Sequence, residues 1–186
     1  FSFAHLPVQS GSDAVLAAMQ RGYRAEDFET IVDAFRKRLA DIRISTDCIV
    51  GFPGETDADA AATIELLART RPTKVNITRY SARPGTRAAL LYDMPDWIKK
   101  ERSRALTRAA NALCDAENER MAGRELDVIV TERQRPGTCI ARDAAYRNIV
   151  IARDLPPGTL LRVAVTGHKR HYLTGMPVTH CRAPAR

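Results

Sequence analysis

Ser45-Thr46-Asp47-Cys48-Ile49-Val50-Gly51-Phe52-Pro53-Gly54-Glu55 is the stretch on which the fold turns. A buried-type strand ends inside it and passes at once into a Gly-Pro-Gly turn. In α/β folds ligands sit just beyond the carboxyl ends of strands, and glycines there let backbone approach a bound molecule closely. Two junctions of the same kind flank it. His5-Leu6-Pro7-Val8-Gln9-Ser10-Gly11-Ser12 comes earlier, and Val75-Asn76-Ile77-Thr78-Arg79-Tyr80 runs later into Arg83-Pro84-Gly85-Thr86. Three such strand ends read as one rim of a ligand site.

Outward from that stretch the elements alternate. Residues 3–8, 43–50 and 75–80 read as strands. Ser12 and Asp13 cap a helix carrying Val15, Leu16 and Met19. Residues 25–39 place Phe28, Ile31, Val32, Phe35 and Leu39 on one helical face, and a third helix over 59–69 turns Ile64, Leu67 and Ala68 inward. Strand-helix-strand-helix-strand at this spacing predicts right-handed βαβ units and a parallel sheet, so this part is α/β. Three parallel strands neither close a barrel nor cover their edges. The chain also opens on Phe1 without an initiator methionine. Both features lead us to expect a piece of a longer protein.

Pro95 opens a long helix over 96–121 with a stripe of Ile98, Ala105, Leu106, Ala109, Leu113 and Cys114, and Gly123 is a candidate C-cap. Beyond it the texture changes to five short strands, over 126–131, 139–142, 148–152, 160–166 and 173–177. They predict a small all-β barrel on the scale of an OB-fold. The expected domains are 1–120, 121–181 and a tail over 182–186. Arg-Pro-Gly-Thr occurs at 83–86 and again at 135–138, which we read as two independent turns.

Charge follows the same division. Residues 1–120 hold 18 basic and 17 acidic side chains, whereas 121–186 hold 11 and 5. A surplus confined to the second segment suggests a polyanionic partner there, against the plainer reading of a solvated basic surface. Gly167-His168-Lys169-Arg170-His171-Tyr172 concentrates it: Lys169 and Arg170 could neutralise phosphates, and Tyr172 or Tyr146 could stack on a base. No apolar run is long enough to cross a bilayer, so no membrane role is expected. Cys48, Cys114, Cys139 and Cys181 stand far apart and suit neither a zinc nor an iron–sulfur site. Reduced cysteines of a cytoplasmic protein are the expected reading. His168, His171 and His180 are too irregular for zinc, Ser10 lacks triad partners, and His5 reads as a packed core histidine.

Gln9, Arg21 and Asp47 form the central candidate set on the rim. A carboxylate accepts hydrogen bonds from ribose hydroxyls, a Gln amide both donates and accepts, and a guanidinium fork suits a carboxylate. Singly, Gln9 could cap a helix, Asp47 end a strand and Arg21 lie on the surface. Gly51 and Phe52 offer backbone to an adenine, or form no more than a tight turn.

Together, His5-Leu6-Pro7-Val8-Gln9-Ser10-Gly11-Ser12-Asp13, Ser45 to Thr56 and Tyr80-Ser81-Ala82-Arg83-Pro84-Gly85-Thr86 resemble the radical S-adenosylmethionine (SAM) methylthiotransferases. Met94-Pro95-Asp96-Trp97-Ile98-Lys99-Lys100-Glu101-Arg102-Ser103, Val130-Thr131-Glu132 and Tyr172-Leu173-Thr174-Gly175 are most similar to the archaeal and eukaryotic-type branch, which modifies threonylcarbamoyladenosine beside the tRNA anticodon. The resemblance implies the later half of a partial radical SAM barrel, a long helix and a TRAM barrel. It assigns SAM binding to Gln9, Ser10, Arg21, Asp47, Gly51 and Phe52, with Arg21 on the methionyl carboxylate and Asp47 on the ribose. With the tRNA anticodon arm as the implied partner, Lys169, Arg170, Tyr172 and Arg147 are the candidate RNA-binding residues. Two 4Fe-4S clusters are implied for the intact enzyme, but the family's Cys-x-x-x-Cys-x-x-Cys and its amino-terminal cluster domain have no counterpart here. The chain is therefore expected to lack catalysis alone. A non-catalytic RNA-binding module and a methylthiotransferase acting on a ribosomal protein are the alternatives.

Overall fold

The computed structural model describes residues 1–39 and 41–178. They fall into two compact units, Ala4–Leu113 and, with Phe1–Phe3, the described part of Cys114–Arg186. By packing, the last turns of the long helix go with the second unit, while the expected domain boundary is at 120. Cys114, Asp115 and Asn118 already bond to the Lys169–Arg170 turn, and so belong to the second unit.

In the first unit β1 (Phe3–His5), β2 (Arg43–Val50) and β3 (Lys74–Arg79) form a sheet in that order, with β2 and β3 parallel. The helices are α1 (Asp13–Ala18), α2 (Ala25–Arg38) and α3 (Asp57–Thr70), and a 3-10 turn covers Arg87–Leu90. The expected first strand is shortened because Pro7 has no N–H to give the ladder. The Thr46 hydroxyl fills the gap, donating to the Leu6 carbonyl and accepting from the Val8 amide. Pairing resumes at Gln9, whose N–H donates to Asp47 O and whose carbonyl accepts from Ile49 N, each at 2.8 Å.

Alternation along β2 separates two faces. Ile44, Cys48 and Val50 pack with Val8, Phe28, Val32, Leu66 and Leu67 in the core beneath the helices. Each such buried side chain contributes on the order of 1.5–3 kcal/mol. The inward face of α3 is Thr63, Leu66, Leu67 and Thr70, so Ala68, expected inside, is exposed. Ile31 and Leu39 of the second helical stripe are likewise exposed.

The helix α4 (Asp96–Glu119) buries Lys99, Leu106 and Ala110. In the second unit β4 (Glu125–Arg133), β5 (Cys139–Asp143), β6 (Asn148–Ile151), β7 (Leu160–Lys169) and β8 (Tyr172–Pro177) close a barrel in the order β4-β5-β6-β8-β7. Its interior is filled by Met121, Val128, Val130, Ile149, Ile151, Val163 and others. Both Arg-Pro-Gly-Thr strings form the same turn. The Thr N–H returns to the Arg carbonyl, and Gly85 and Gly137 each take φ +81°.

Candidate functional site

Much of the first motif string is engaged in holding loops to helices. The Thr63 hydroxyl lies 3.3 Å from the Ser10 hydroxyl and accepts the Gly11 N–H at 2.9 Å. A Cβ at Gly11 would sit 2.5 Å from the Ala62 carbonyl oxygen, so only glycine permits this approach to α3. Ser12 Oγ donates to Asp59 at 2.6 Å, and Asp59 in turn accepts from the Thr56 N–H and hydroxyl. These bonds hold the Asp59 carboxyl below its usual value. Ser10, expected at a bound cofactor, is wholly buried and turned to α3. Its hydroxyl is withdrawn from any ligand on the rim.

The turn after β2 is held in the same manner. Glu55 is buried, accepting from Gly51 N at 2.7 Å and from Arg102 Nη1 at 2.8 Å. Burial pushes the Glu55 carboxyl up against those two bonds, which favour the carboxylate. Arg102 also donates to the Glu55 carbonyl and to Asp57. Burial disfavours its charge, but the bonds to Asp57 and Glu55 outweigh that and raise it. Lys99 packs beside Gly51 and donates to the Tyr80 carbonyl. The Phe52 ring stands edge-on to Tyr80 at 5.2 Å and is buried, so Phe52 offers only backbone. Gly51 takes φ +74°, a conformation glycine adopts without strain.

Asp47 lies on the sheet face opposite the helices. One of its oxygens is 3.0 Å from His5 Nε2, and the other accepts from Asn76 Nδ2 at 2.8 Å. His5 is therefore no core residue: its side chain is 41% exposed and Asp47 is 34% exposed. Sequence reasoning missed His5 and Asn76 because their meeting with Asp47 depends on strand register. Gln9 is largely buried, with φ +70°. Arg21 is exposed. Its charge lowers the Tyr23 hydroxyl, which burial pushes up more strongly. That hydroxyl lies 3.3 Å from the Pro7 and Val8 carbonyls, close to the end of β1. The structure thus brings His5, Asp47 and Asn76 into one row, with Gln9 bonded to β2 beside it.

Cys48 is buried, and burial together with the Asp47 charge pushes its thiol up to about 12. Such a thiol is a poor metal ligand at neutral pH. Among the described residues no group of three or more His, Cys, Asp or Glu side chains could hold a metal ion. They therefore do not fit an iron–sulfur cluster. Cys181 and His180 lie outside the described residues.

On the barrel, Lys169 and Tyr172 are register partners at the β7–β8 hairpin tip, and both are exposed. Arg170 pairs with Asp115 at 3.2 Å, and its carbonyl accepts from Asn118. Arg147, expected to face RNA, is instead buried: its guanidinium meets Asp143 at 2.7 Å, with the two side chains 8% and 6% exposed. Its backbone N–H and Nη1 both bond to Asp143 and so fold the β5–β6 turn. Tyr146 lies under the Arg142 guanidinium at 4.9 Å and beside Phe1 and Phe3, so its ring already has partners.

Residues 1–67 match the radical SAM superfamily, and residues 119–178 match the TRAM domain. The first match takes in β1, β2, α1, α2 and most of α3, and the second takes in the closed barrel. It is 44% identical over 175 residues to a protein of Archaeoglobus fulgidus named a probable threonylcarbamoyladenosine tRNA methylthiotransferase, covering 94% of this chain and 41% of that protein. The threonylcarbamoyladenosine tRNA methylthiotransferase of Danio rerio is 36% identical over 188 residues, covering 100% of this chain and 34% of that protein. A tRNA-2-methylthio-N(6)-dimethylallyladenosine synthase of Salinispora arenicola is also 36% identical, covering 97% and 39%. The chain thus spans about two-fifths of the length of these curated relatives. Among solved structures, coproporphyrinogen III oxidase from Escherichia coli, described as a radical SAM enzyme, superposes with a TM-score of 0.52 at 13% identity. It covers 96% of this chain and 46% of that one, a likeness of fold.

Proposed function

We propose that the whole protein bearing this chain is a radical SAM transferase that places a 2-methylthio group on threonylcarbamoyladenosine next to the anticodon of tRNA. The observation that carries the reading is the union, in one chain, of a radical SAM segment and a TRAM barrel with relatives named for this activity. This chain would supply part of the SAM wall and the grip on the tRNA anticodon arm. An amino-terminal cluster domain, the first half of the barrel and two 4Fe-4S clusters would come from the remainder. A tRNA substrate accords with a cytoplasmic protein.

Several residues suit SAM. Asp47 keeps acceptor capacity for a ribose, Arg21 is an exposed guanidinium by the end of β1, and Gln9 adjoins β2. Among the described residues the Gly51–Phe52 peptide has no internal hydrogen bond at either its C=O or its N–H, so either group can meet an adenine edge. SAM, when bound, would supply the radical and methyl-donor chemistry, and these residues would orient it. Lys169 and Arg170 on the barrel would attract the polyanion.

Mass spectrometry of tRNA nucleosides from a deletion strain tests the reading. Loss of the 2-methylthio product is expected, and an undiminished product overturns it. A second reading, a non-catalytic RNA-binding module, is supported by the match of residues 119–178 to the TRAM domain. It predicts tRNA binding in gel shift with the nucleoside profile of the deletion strain unchanged.

A further inference from the structure

Subtraction isolates the polar groups of the rim that the fold does not use. Ser10 and Gly11 are tied to Thr63, Ser12 to Asp59, Thr46 to the backbone around Pro7, and Glu55 to Gly51 and Arg102. What remains on the uncovered face is a row that crosses all three strands: His5 on β1, Asp47 on β2 and Asn76 on β3. An ionised carboxylate only accepts hydrogen bonds, so the imidazole donates from Nε2 and the amide from Nδ2. With one donor on each oxygen, the carboxylate is fixed by the sheet and not by its own rotamer preference. Each oxygen keeps one further lone-pair site. Two acceptor sites side by side on a half-exposed carboxylate match the two hydroxyls of a vicinal diol, both of which can donate.

We infer that His5 and Asn76 are positioning residues for Asp47, and that the row reads the vicinal diol of a ribonucleoside. The inference rests on the proposed role of Asp47 at the SAM ribose and extends it to two residues that no motif singles out for binding. Both flanking side chains are exposed and neither belongs to the core. Their replacement should leave folding largely intact. What their loss frees is the carboxylate, which can then rotate away from the diol.

The test uses the full-length protein carrying this chain, with equilibrium dialysis of SAM and of its 2′-deoxy analogue. The wild type is expected to favour SAM by about tenfold, the effect of leaving one charged acceptor without its hydroxyl. His5→Phe and Asn76→Leu are each expected to reduce that ratio to about threefold or less, while His5→Gln, which retains a donor, restores most of it. A purely structural effect would weaken both ligands equally and leave the ratio unaltered. An unaltered ratio in both His5→Phe and Asn76→Leu, with SAM still bound, overturns this inference alone. A wild type that binds neither ligand overturns the proposed function, and with it the role of Asp47. Asn76→Leu, at an exposed position, serves should His5→Phe fail to fold.

Discussion

The strand-end rim and the barrel surface use their polar residues in opposite ways. On the rim, a string of restricted sequence is mostly taken up by internal bonds: Ser10, Gly11, Ser12 and Glu55 fix loops to α3 and α4, and few groups face outward. On the barrel, several of the basic side chains are held in ion pairs. Arg133 meets Asp154, Arg142 meets Glu132, Arg162 meets Asp127 and Arg170 meets Asp115. A motif therefore overstates the number of ligand-binding residues, and a net charge does not say which cations are available. In both regions the informative residue is one whose bonding capacity the fold leaves over: Asp47 in one, Lys169 in the other.

The largest effect should come from the two barrel cations that sequence alone puts in one class. Arg147→Met leaves Asp143 buried without its partner, and is expected to cost about 3 kcal/mol in denaturant unfolding. Lys169→Ala, at an exposed position without an ion pair among the described residues, should change stability by about 0.5 kcal/mol or less. In a gel shift with the tRNA anticodon arm the order reverses. Lys169→Ala weakens binding and reduces the salt slope by about 0.7, the loss of one phosphate contact. A normally stable Arg147→Met that binds tRNA poorly would erase the distinction between structural and available cations.

Gly11→Ala examines the rim in the same terms, with a smaller effect. Its methyl group would meet the Ala62 carbonyl and the Thr63 Cα, both backbone atoms that cannot swing aside. A loss of about 1–3 kcal/mol is expected, the usual cost of overpacking. Gly22→Ala, with open space around its Cβ position, should be close to neutral. Equal stability of the two variants would argue that Gly11 is kept for a ligand and not for α3.

Local pattern made some of this legible and not the rest. The β2 limits could be read because an apolar β-branched run ends at a Gly-Pro-Gly turn, and the five barrel strands because turn residues punctuate them. The Pro7 interruption follows from its missing N–H, yet its repair by Thr46 needs a partner 38 residues away. His5 reads as a core residue on the expected strand over 3–8, because alternation alone does not say which face is covered. Its role emerges only once register sets it and Asn76 against Asp47. Lys99 sits where helical periodicity allows a solvated residue, but the turn after β2 covers it. Arg147 is a candidate RNA contact in the sequence, and nothing local reveals its pairing with Asp143.

The mildest test compares two aspartates, one on each region. Asp59 is bonded by Ser12 and Thr56, and Asp127 by Arg162, and each carboxyl lies below its ordinary 3.8. A carboxyl depressed in the folded state binds fewer protons there than in the unfolded chain. Its stabilisation is present above the unfolded value and is lost as pH falls through the folded one. Wild type and Asp59→Asn should therefore differ most in denaturant midpoint above about pH 5, and converge as the solution is acidified below that. Asp127→Asn should follow the same sign with a smaller amplitude that fades as salt is added, because its partner is a solvent-exposed guanidinium. Salt should leave the Asp59 difference largely intact, since neutral hydroxyl and amide donors, not a distant charge, hold that carboxylate. Equal salt sensitivity at the two positions would mean that the rim is held by net charge as the barrel surface is, and that its hydroxyl and amide donors are incidental.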